Sequence, residues 1–231
     1  MRRDALVLAL AALLGGAAGA ALADTSRTQE INECRVGEIG TWGDGRDRPA
    51  LASPLVFTYN PDGAPPWFSA SQVADMVAKA AEAWSDCGVR GEVAPWTGAV
   101  QPGQVLVQWH QRDSLGNFGL ANLDRHTLSL GPGAFQMLRD RNPAHDAGET
   151  LQMTLSHEMG HFFGLMAHSR RCVDVLSYYH NGRGGKCFKR DPSAPKLVVE
   201  YRHILPTACD IERCRRANGQ PPLPGGRLPG R

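Results

Sequence analysis

The stretch H-E-M-G-H-F-F-G-L-M-A-H, residues 157–168, carries the densest chemical pattern in the chain. His157 and His161 are four residues apart, so on a helix their rings lie on one face and can bind one metal ion. Glu158 stands beside that pair, where a carboxylate can take a proton from water at the metal. The simpler alternative is an ordinary amphipathic helix with two surface histidines. The combined pattern favours a metal site.

The residues around this motif predict a buried helix. Thr150 is a candidate N-cap, and Gly164 is a candidate C′ residue in the left-handed conformation. The apolar positions that recur with helical spacing are Leu151, Leu155, Met159, Phe162 and Phe163.

The N-terminus predicts export. Arg2 and Arg3 precede an apolar run over residues 5–14, and the sequence Ala21-Leu22-Ala23 matches a cleavage site, so residues 1–23 are interpreted as a secretory signal peptide. A retained membrane anchor is the alternative, but the apolar run is far shorter than the roughly 20 residues that span a bilayer. We expect a secreted or periplasmic protein with no membrane span.

The six cysteines suit three disulfides in an exported protein. One arrangement pairs Cys34 with Cys87 and Cys172 with Cys187. It leaves Cys209 with Cys214, which cannot bridge if residues 207–218 form an unbroken helix, so crosswise pairing of the last four cysteines stays open. A zinc site made of four cysteines is a further alternative, although the sequence has no C-x-x-C pair.

Length and charge limit the remaining possibilities. Residues 24–219 are enough for one domain with a real core. The net charge of +2 is small and the basic residues form no stripe, so nucleic acid is not indicated as a partner. Residues 220–231 are rich in proline and glycine and predict a disordered tail.

Hydrophobic periodicity predicts alternating strands and helices. Their order indicates an α+β fold in which a sheet packs against helices. The expected strands are residues 55–59, 105–110, 120–123 and 127–130, and the expected helices are residues 72–87 with Ser69 or Ser71 as cap, 135–139 and the motif helix.

The motif and the order of elements resemble the metzincin zinc endopeptidases, particularly the small matrixin-like ones of bacteria. The resemblance covers roughly residues 55–179. It implies a zincin-like mixed sheet packed against a long helix and a metal-binding active-site helix. In that family the motif is followed by a tight turn containing methionine beneath the metal. Residues 174–179, D-V-L-S-Y-Y, look like that turn, with Leu176 in the methionine position.

The third metal ligand departs from the family pattern. The family's third histidine would fall at position 167, which is Ala167, and His168 comes one residue later. One added loop residue moves a side chain by at most about 3.5 Å, which a loop can absorb. A surface location for His168 is the alternative. An acidic ligand from farther along the chain would suit other zinc proteases, and the candidates are Asp174, Glu200 and Glu212.

The resemblance implies a secreted endopeptidase that binds Zn²⁺ through His157, His161 and His168. Glu158 would be the general base, and Tyr178 would either stabilise an oxyanion or pack under the turn. Residues 119–122 would be the edge strand that holds an extended protein or peptide substrate. Two other functions remain open: an exported binding protein without catalysis, and a zinc hydrolase with an acidic third ligand.

Overall fold

The structure is a computed structural model that describes residues 26–178, 180–192 and 200–229. Within those ranges the chain is α+β, with one five-stranded mixed sheet and five helices. The signal peptide expected at residues 1–23 lies outside the described residues. In chain order the elements are α1 (residues 26–32), β1 (Leu55–Tyr59), α2 (Ala70–Ser85), β2 (Gly91–Ala94), β3 (Gln104–Trp109), β4 (Gly119–Asn122), β5 (Thr127–Leu130), α3 (Pro132–Arg141), α4 (Ala147–Phe162), α5 (Ala208–Ala217) and a short 3₁₀ turn (Pro224–Gly226).

The sheet has the strand order β2-β1-β3-β5-β4. β1 is parallel to both β2 and β3, and β3 is parallel to β5. β4 is antiparallel to β5, with Gly119 opposite Leu130 and Asn122 opposite Thr127. Residues 119–122 therefore form a sheet edge.

The core lies between the sheet and the helices α2 and α4. Trp84 of α2 is fully buried, and its indole N–H donates to the carbonyl of Ser156 in α4 at 2.8 Å. Phe57 of β1 packs against Phe162 and Phe163, with ring centroids 6.1 and 6.3 Å apart. Truncating a buried aromatic side chain costs about 3–5 kcal/mol. These contacts fix α4, the helix that carries the histidine pair, against the rest of the domain.

Most predicted elements are confirmed, and the differences have local causes. β1 and β5 have the predicted bounds, while α2 begins at Ala70 because Ser69 caps it by accepting from the N–H of Gln72. The expected N-cap at Thr150 is wrong. Asp146 caps α4 instead by accepting from the N–H of Gly148, since aspartate caps at least as well as threonine.

One strand escapes the sequence pattern. β2 reads G-E-V-A, which has a single β-branched residue and no alternation of apolar and polar positions. Pairing with β1 makes it a strand. In the part of the chain that is described, no helix is both long and apolar enough to cross a bilayer.

The six cysteines form three disulfides, which are Cys34–Cys209, Cys87–Cys214 and Cys172–Cys187. The Cys172–Cys187 pair is confirmed, and three disulfides are compatible with an exported protein. The expected pairs Cys34–Cys87 and Cys209–Cys214 are wrong, and so is a crosswise pairing among the last four cysteines. The four-cysteine metal site is wrong as well, because every cysteine is in a disulfide. α5 is unbroken from Ala208 to Ala217, so its two cysteines reach separate partners.

The C-terminal segment also differs from the expectation of a disordered tail. Leu223 is buried and its N–H donates to Glu212 at 2.7 Å. Farther along, the N–H of Leu228 donates to the carbonyl of Asn32, and the carbonyl of Gly226 accepts from Cys34. The segment through residue 229 packs on α5 and on the end of α1, which satisfies backbone groups that its composition alone would leave to water.

Replacing Cys87 and Cys214 together by serine should lower the free energy of unfolding by about 2–4 kcal/mol, because the unfolded chain loses a cross-link. Urea unfolding of the oxidised proteins measures this difference. Peptide mapping without reduction should join Cys34 to Cys209 in both proteins. A peptide that joins Cys34 to Cys87 in the wild type would contradict this fold.

Candidate metal centre

Three histidine rings meet at one point beside β4. His157 and His161 come from successive turns of α4, and His168 comes from the chain that turns back after the helix. The ring centroids form a nearly equilateral triangle with sides of 5.4, 5.2 and 5.3 Å. One possible ligand atom from each ring lies within 4.8 Å of the others. The rings are thus spaced as three ligands of one ion would be.

Each ring is oriented by an oxygen atom at Nδ1. His157 Nδ1 lies 2.8 Å from the carbonyl of Val175, and His161 Nδ1 lies 2.7 Å from the carbonyl of Leu165. His168 Nδ1 lies 2.7 Å from a carboxylate oxygen of Asp44. Because these oxygens accept, the Nδ1 atoms carry the protons and the Nε2 atoms keep their lone pairs.

The donor set fits a zinc ion. The Nε2 atom of His168 is buried and has no hydrogen-bond partner among the described residues, which is costly unless another group takes its lone pair. Three neutral imidazoles leaving one position open are a common ligand set of catalytic zinc.

Burial keeps the three imidazoles neutral. It lowers the pKa of His157 well below the usual value, assisted by the neighbouring His161 and His168. Burial lowers the pKa of His161 to about 4. It also lowers the pKa of His168, although Asp44 acts in the opposite direction. Neutral imidazole is the form that binds metals.

The turn after α4 explains how His168 reaches the site while Ala167 does not. Gly164 has φ of +104°, and a Cβ there would collide with the backbone carbonyl of Arg48. Ala167 is buried, its N–H donates to Asp47, and its carbonyl accepts from Arg213. With the backbone of Ala167 held in this way, the next side chain faces the other two histidines.

The acidic alternatives for the third ligand lie elsewhere and have other partners. Asp174 accepts from Ser169 and Arg171. Glu200 pairs with the guanidinium of Arg202. Glu212 accepts from the backbone of residue 223 and pairs with Arg216.

Glu158 is placed beside the histidines by the close approach of β4. Its Oε2 accepts from the N–H of Ala121 at 2.8 Å, so Oε1 can accept a hydrogen bond or a proton from another group. A Cβ at Gly119 would lie 2.8 Å from Glu158 Cγ and 2.5 Å from Thr154 Cγ2, so only glycine allows this spacing. Burial raises the pKa of Glu158 to about 7, with the Ala121 hydrogen bond opposing the shift.

Leu176 and Tyr178 occupy different sides of the turn. Leu176 is fully buried and packs close to Gly160 beneath α4, whereas Tyr178 is 44% exposed and lines the cleft. The Tyr178 ring stacks on His168, with centroids 3.8 Å apart and planes inclined by 16°. The alternative in which Tyr178 packs under the turn is wrong, because Leu176 fills that place. Tyr179 lies outside the described residues.

The same turn is fastened to the start of α5. The N–H of Val175, whose carbonyl orients His157, donates to Asp210 at 2.9 Å. Thr207 donates to Asp174 at 2.6 Å and forms a capping box with Asp210. Burial, with help from the charge of Asp174, raises the pKa of Asp210 to about 7. The position of His157 thus depends on a buried carboxylate pair.

A cavity of about 750 Å³ opens in front of the histidines. Sequence reasoning missed two charged residues here. Arg202 lines the cavity and donates to the carbonyl of Ser177, while Asp44 holds His168 from outside it. Neither belongs to a recognisable motif, and only the folded chain brings them near residues 157–168. Its apolar wall includes Leu123, Ala134, Met137, Leu138 and Met153.

The sequence matches no family model and no curated protein. A solved structure described as the GM1 bound form of the ECX AB5 holotoxin is similar, with 13% sequence identity over 75% of this chain and 87% of that chain. The TM-score is 0.41, a level of similarity that carries no argument about function.

The pKa of Asp210 generates a prediction about stability. The unfolded carboxyl releases its proton near 3.8 and the folded one near 7, so the folded state loses stability as pH rises through that window. Replacing Asp210 by asparagine removes this dependence. Relative to the variant, the metal-free wild type should lose more than about 1 kcal/mol of unfolding free energy between about pH 4 and about pH 7.

Urea unfolding in the presence of a chelator measures the difference at both pH values. Asp62→Asn, at an exposed position, serves as the control and should follow the wild type. A stability difference between wild type and Asp210→Asn that does not change with pH would contradict the burial of a raised-pKa carboxyl.

Proposed function

We propose that this chain is a zinc-dependent endopeptidase of the metzincin kind, acting on a protein or peptide substrate. The observation that carries the proposal is the triangle of His157, His161 and His168, whose ligand atoms lie within 4.8 Å of one another. A cluster of three neutral imidazoles, one buried and two partly buried, has little structural use, because each lone pair inside it needs a partner.

Those three histidines would hold the ion through their Nε2 atoms. Zinc bound there would polarise a substrate carbonyl and lower the pKa of water toward neutrality. The chain's own contribution is to fix the rings, each by an Nδ1 hydrogen bond of 2.7 to 2.8 Å.

Glu158 is the proposed general base. Its Oε2 is held by the N–H of Ala121, and its Oε1 accepts the proton of the attacking water and delivers it to the leaving amine. Because Ala121 belongs to β4, this hydrogen bond joins the base to the sheet edge. Tyr178 borders the same cavity, and its hydroxyl is proposed to donate a hydrogen bond to the developing oxyanion.

β4 is the proposed substrate-binding edge. Gly119–Asn122 pairs with β5 on one side only, and its other side borders the cavity. An extended peptide that adds to this edge by backbone pairing would lie across Glu158 and the histidines. The pairing is independent of side chains, which suits a protease.

We also propose that the protein works outside the cytoplasm. Three disulfides are compatible with an oxidising compartment. Export through the signal peptide of residues 1–23 is the proposed route, to the periplasm or to the medium.

Two substitutions separate the base from the ligand. Glu158→Gln should keep zinc but lower peptide hydrolysis by about 10²-fold or more, because a general base is lost. His168→Ala should lower both zinc content and hydrolysis, because a coordination bond is lost. Metal analysis and cleavage of an unstructured protein substrate measure both effects.

His110→Ala, a histidine that is exposed and lies outside the metal triangle, is the matched control and should behave as the wild type. Full zinc content and full activity in His168→Ala would contradict the proposed ligand set. A wild type that binds zinc but cleaves no peptide in a broad library would favour the exported binding protein.

A further inference from the structure

A segment near the N-terminus runs along the turn that carries His168. This segment, residues 40–51, is called the N-terminal strap. The N–H of Trp42 donates to the carbonyl of His168 at 3.0 Å, and the N–H of Arg48 donates to the carbonyl of Gly164 at 3.0 Å. Farther along, the N–H of Leu51 donates to the carbonyl of Phe162 at 2.9 Å. The strap thus follows the chain from the end of α4 to the third histidine.

Two aspartates of the strap act on consecutive parts of the turn. Asp47 accepts from the N–H groups of Met166 and Ala167 at 2.9 and 3.1 Å, and it pairs with Arg213. Asp44 accepts from the N–H of His168 at 2.9 Å through Oδ1 and from the ring of the same residue at 2.7 Å through Oδ2. Asp47 therefore fixes the backbone before the histidine, and Asp44 fixes the histidine itself.

The third histidine is held differently from the other two. His157 and His161 face backbone carbonyls of the chain that follows α4, whereas His168 faces a carboxylate 124 residues away. A carboxylate acceptor carries a full negative charge, so its hydrogen bond to imidazole is stronger and makes the other ring nitrogen a better electron donor. Because the two Asp44 oxygens accept from the backbone and from the ring of His168, Asp44 fixes the orientation of both.

We propose that Asp44 is a positioning residue for the third metal ligand: it aims Nε2 of His168 at the other two histidines and strengthens its bond to the metal. The N-terminal strap is then part of the metal centre, although it supplies no ligand. This inference rests on the proposed zinc site. It explains how a third histidine can be a ligand although position 167 is alanine, since the strap fixes the turn that places His168 beside the other two histidines.

The test is the zinc affinity of the full oxidised protein, measured by competition with a chromophoric chelator. Asp44→Asn should weaken zinc binding by about tenfold to hundredfold, because the carboxylate that orients the ring is lost. Asp44→Glu, which keeps the charge, should recover part of that loss. Asp113→Asn is the matched control, since its side chain is 32% exposed against 37% for Asp44 and lies outside the metal triangle.

A cycle with His168→Ala distinguishes positioning from a general effect on folding. Once His168 is gone, Asp44→Asn should change zinc affinity by less than about twofold, because Asp44 acts through that ring. The visible absorption spectrum of Co²⁺ in the site should differ between wild type and Asp44→Asn. Equal losses in both backgrounds, or an unchanged Co²⁺ spectrum, would overturn the proposal.

Failure of the inference can be told from failure of the proposed function. A wild type that binds zinc and cleaves peptide, together with an Asp44→Asn variant of undiminished zinc affinity, overturns the role of Asp44 alone. A wild type that binds no zinc overturns both.

Discussion

The arrangement of the proposed metal site depends on one constraint: three imidazoles, one buried and two partly buried, must each be neutral and must each aim a lone pair at the same point. A neutral imidazole has one N–H, so every ring needs an acceptor for Nδ1. The turn at Val175, the turn at Leu165 and the N-terminal strap at Asp44 supply those acceptors. All three acceptors come from segments outside the sheet.

Polar groups behind the site hold these segments together. Arg171 is fully buried. Its guanidinium pairs with the carboxylate of Asp174 at 3.0 Å and donates to the backbone carbonyl of Glu30 at 2.7 Å. Removing one partner of a buried ion pair costs about 3–5 kcal/mol. The same network reaches Asp210 through Thr207 and so supports Val175. The Cys34–Cys209 disulfide ties the chain that precedes the N-terminal strap to α5. The segments that orient the histidines are therefore held together by contacts between the N-terminal and C-terminal parts of the chain.

The sequence predicts what local periodicity controls and misses what distant contacts decide. The spacing of His157 and His161 and the short apolar runs of β1 and β5 are local, and those elements are confirmed. The role of Asp44 cannot be predicted from the sequence. Asp44 stands in a glycine-rich segment 124 residues before His168, and no local pattern connects the two residues. The predicted pairing of Cys34 is wrong for the same reason, since its partner Cys209 is 175 residues away. β2 depends on its neighbour and not on its own residues.

The central claim is that one zinc ion is held by three histidines, and X-ray absorption of the zinc-loaded protein tests it most directly. The account predicts three imidazole nitrogens at about 2.0–2.1 Å and one further light atom in the first coordination sphere. Loss of one imidazole in His168→Ala should be visible in the same spectrum. A sulfur scatterer at about 2.3 Å, or fewer than three imidazoles in the wild type, would contradict it.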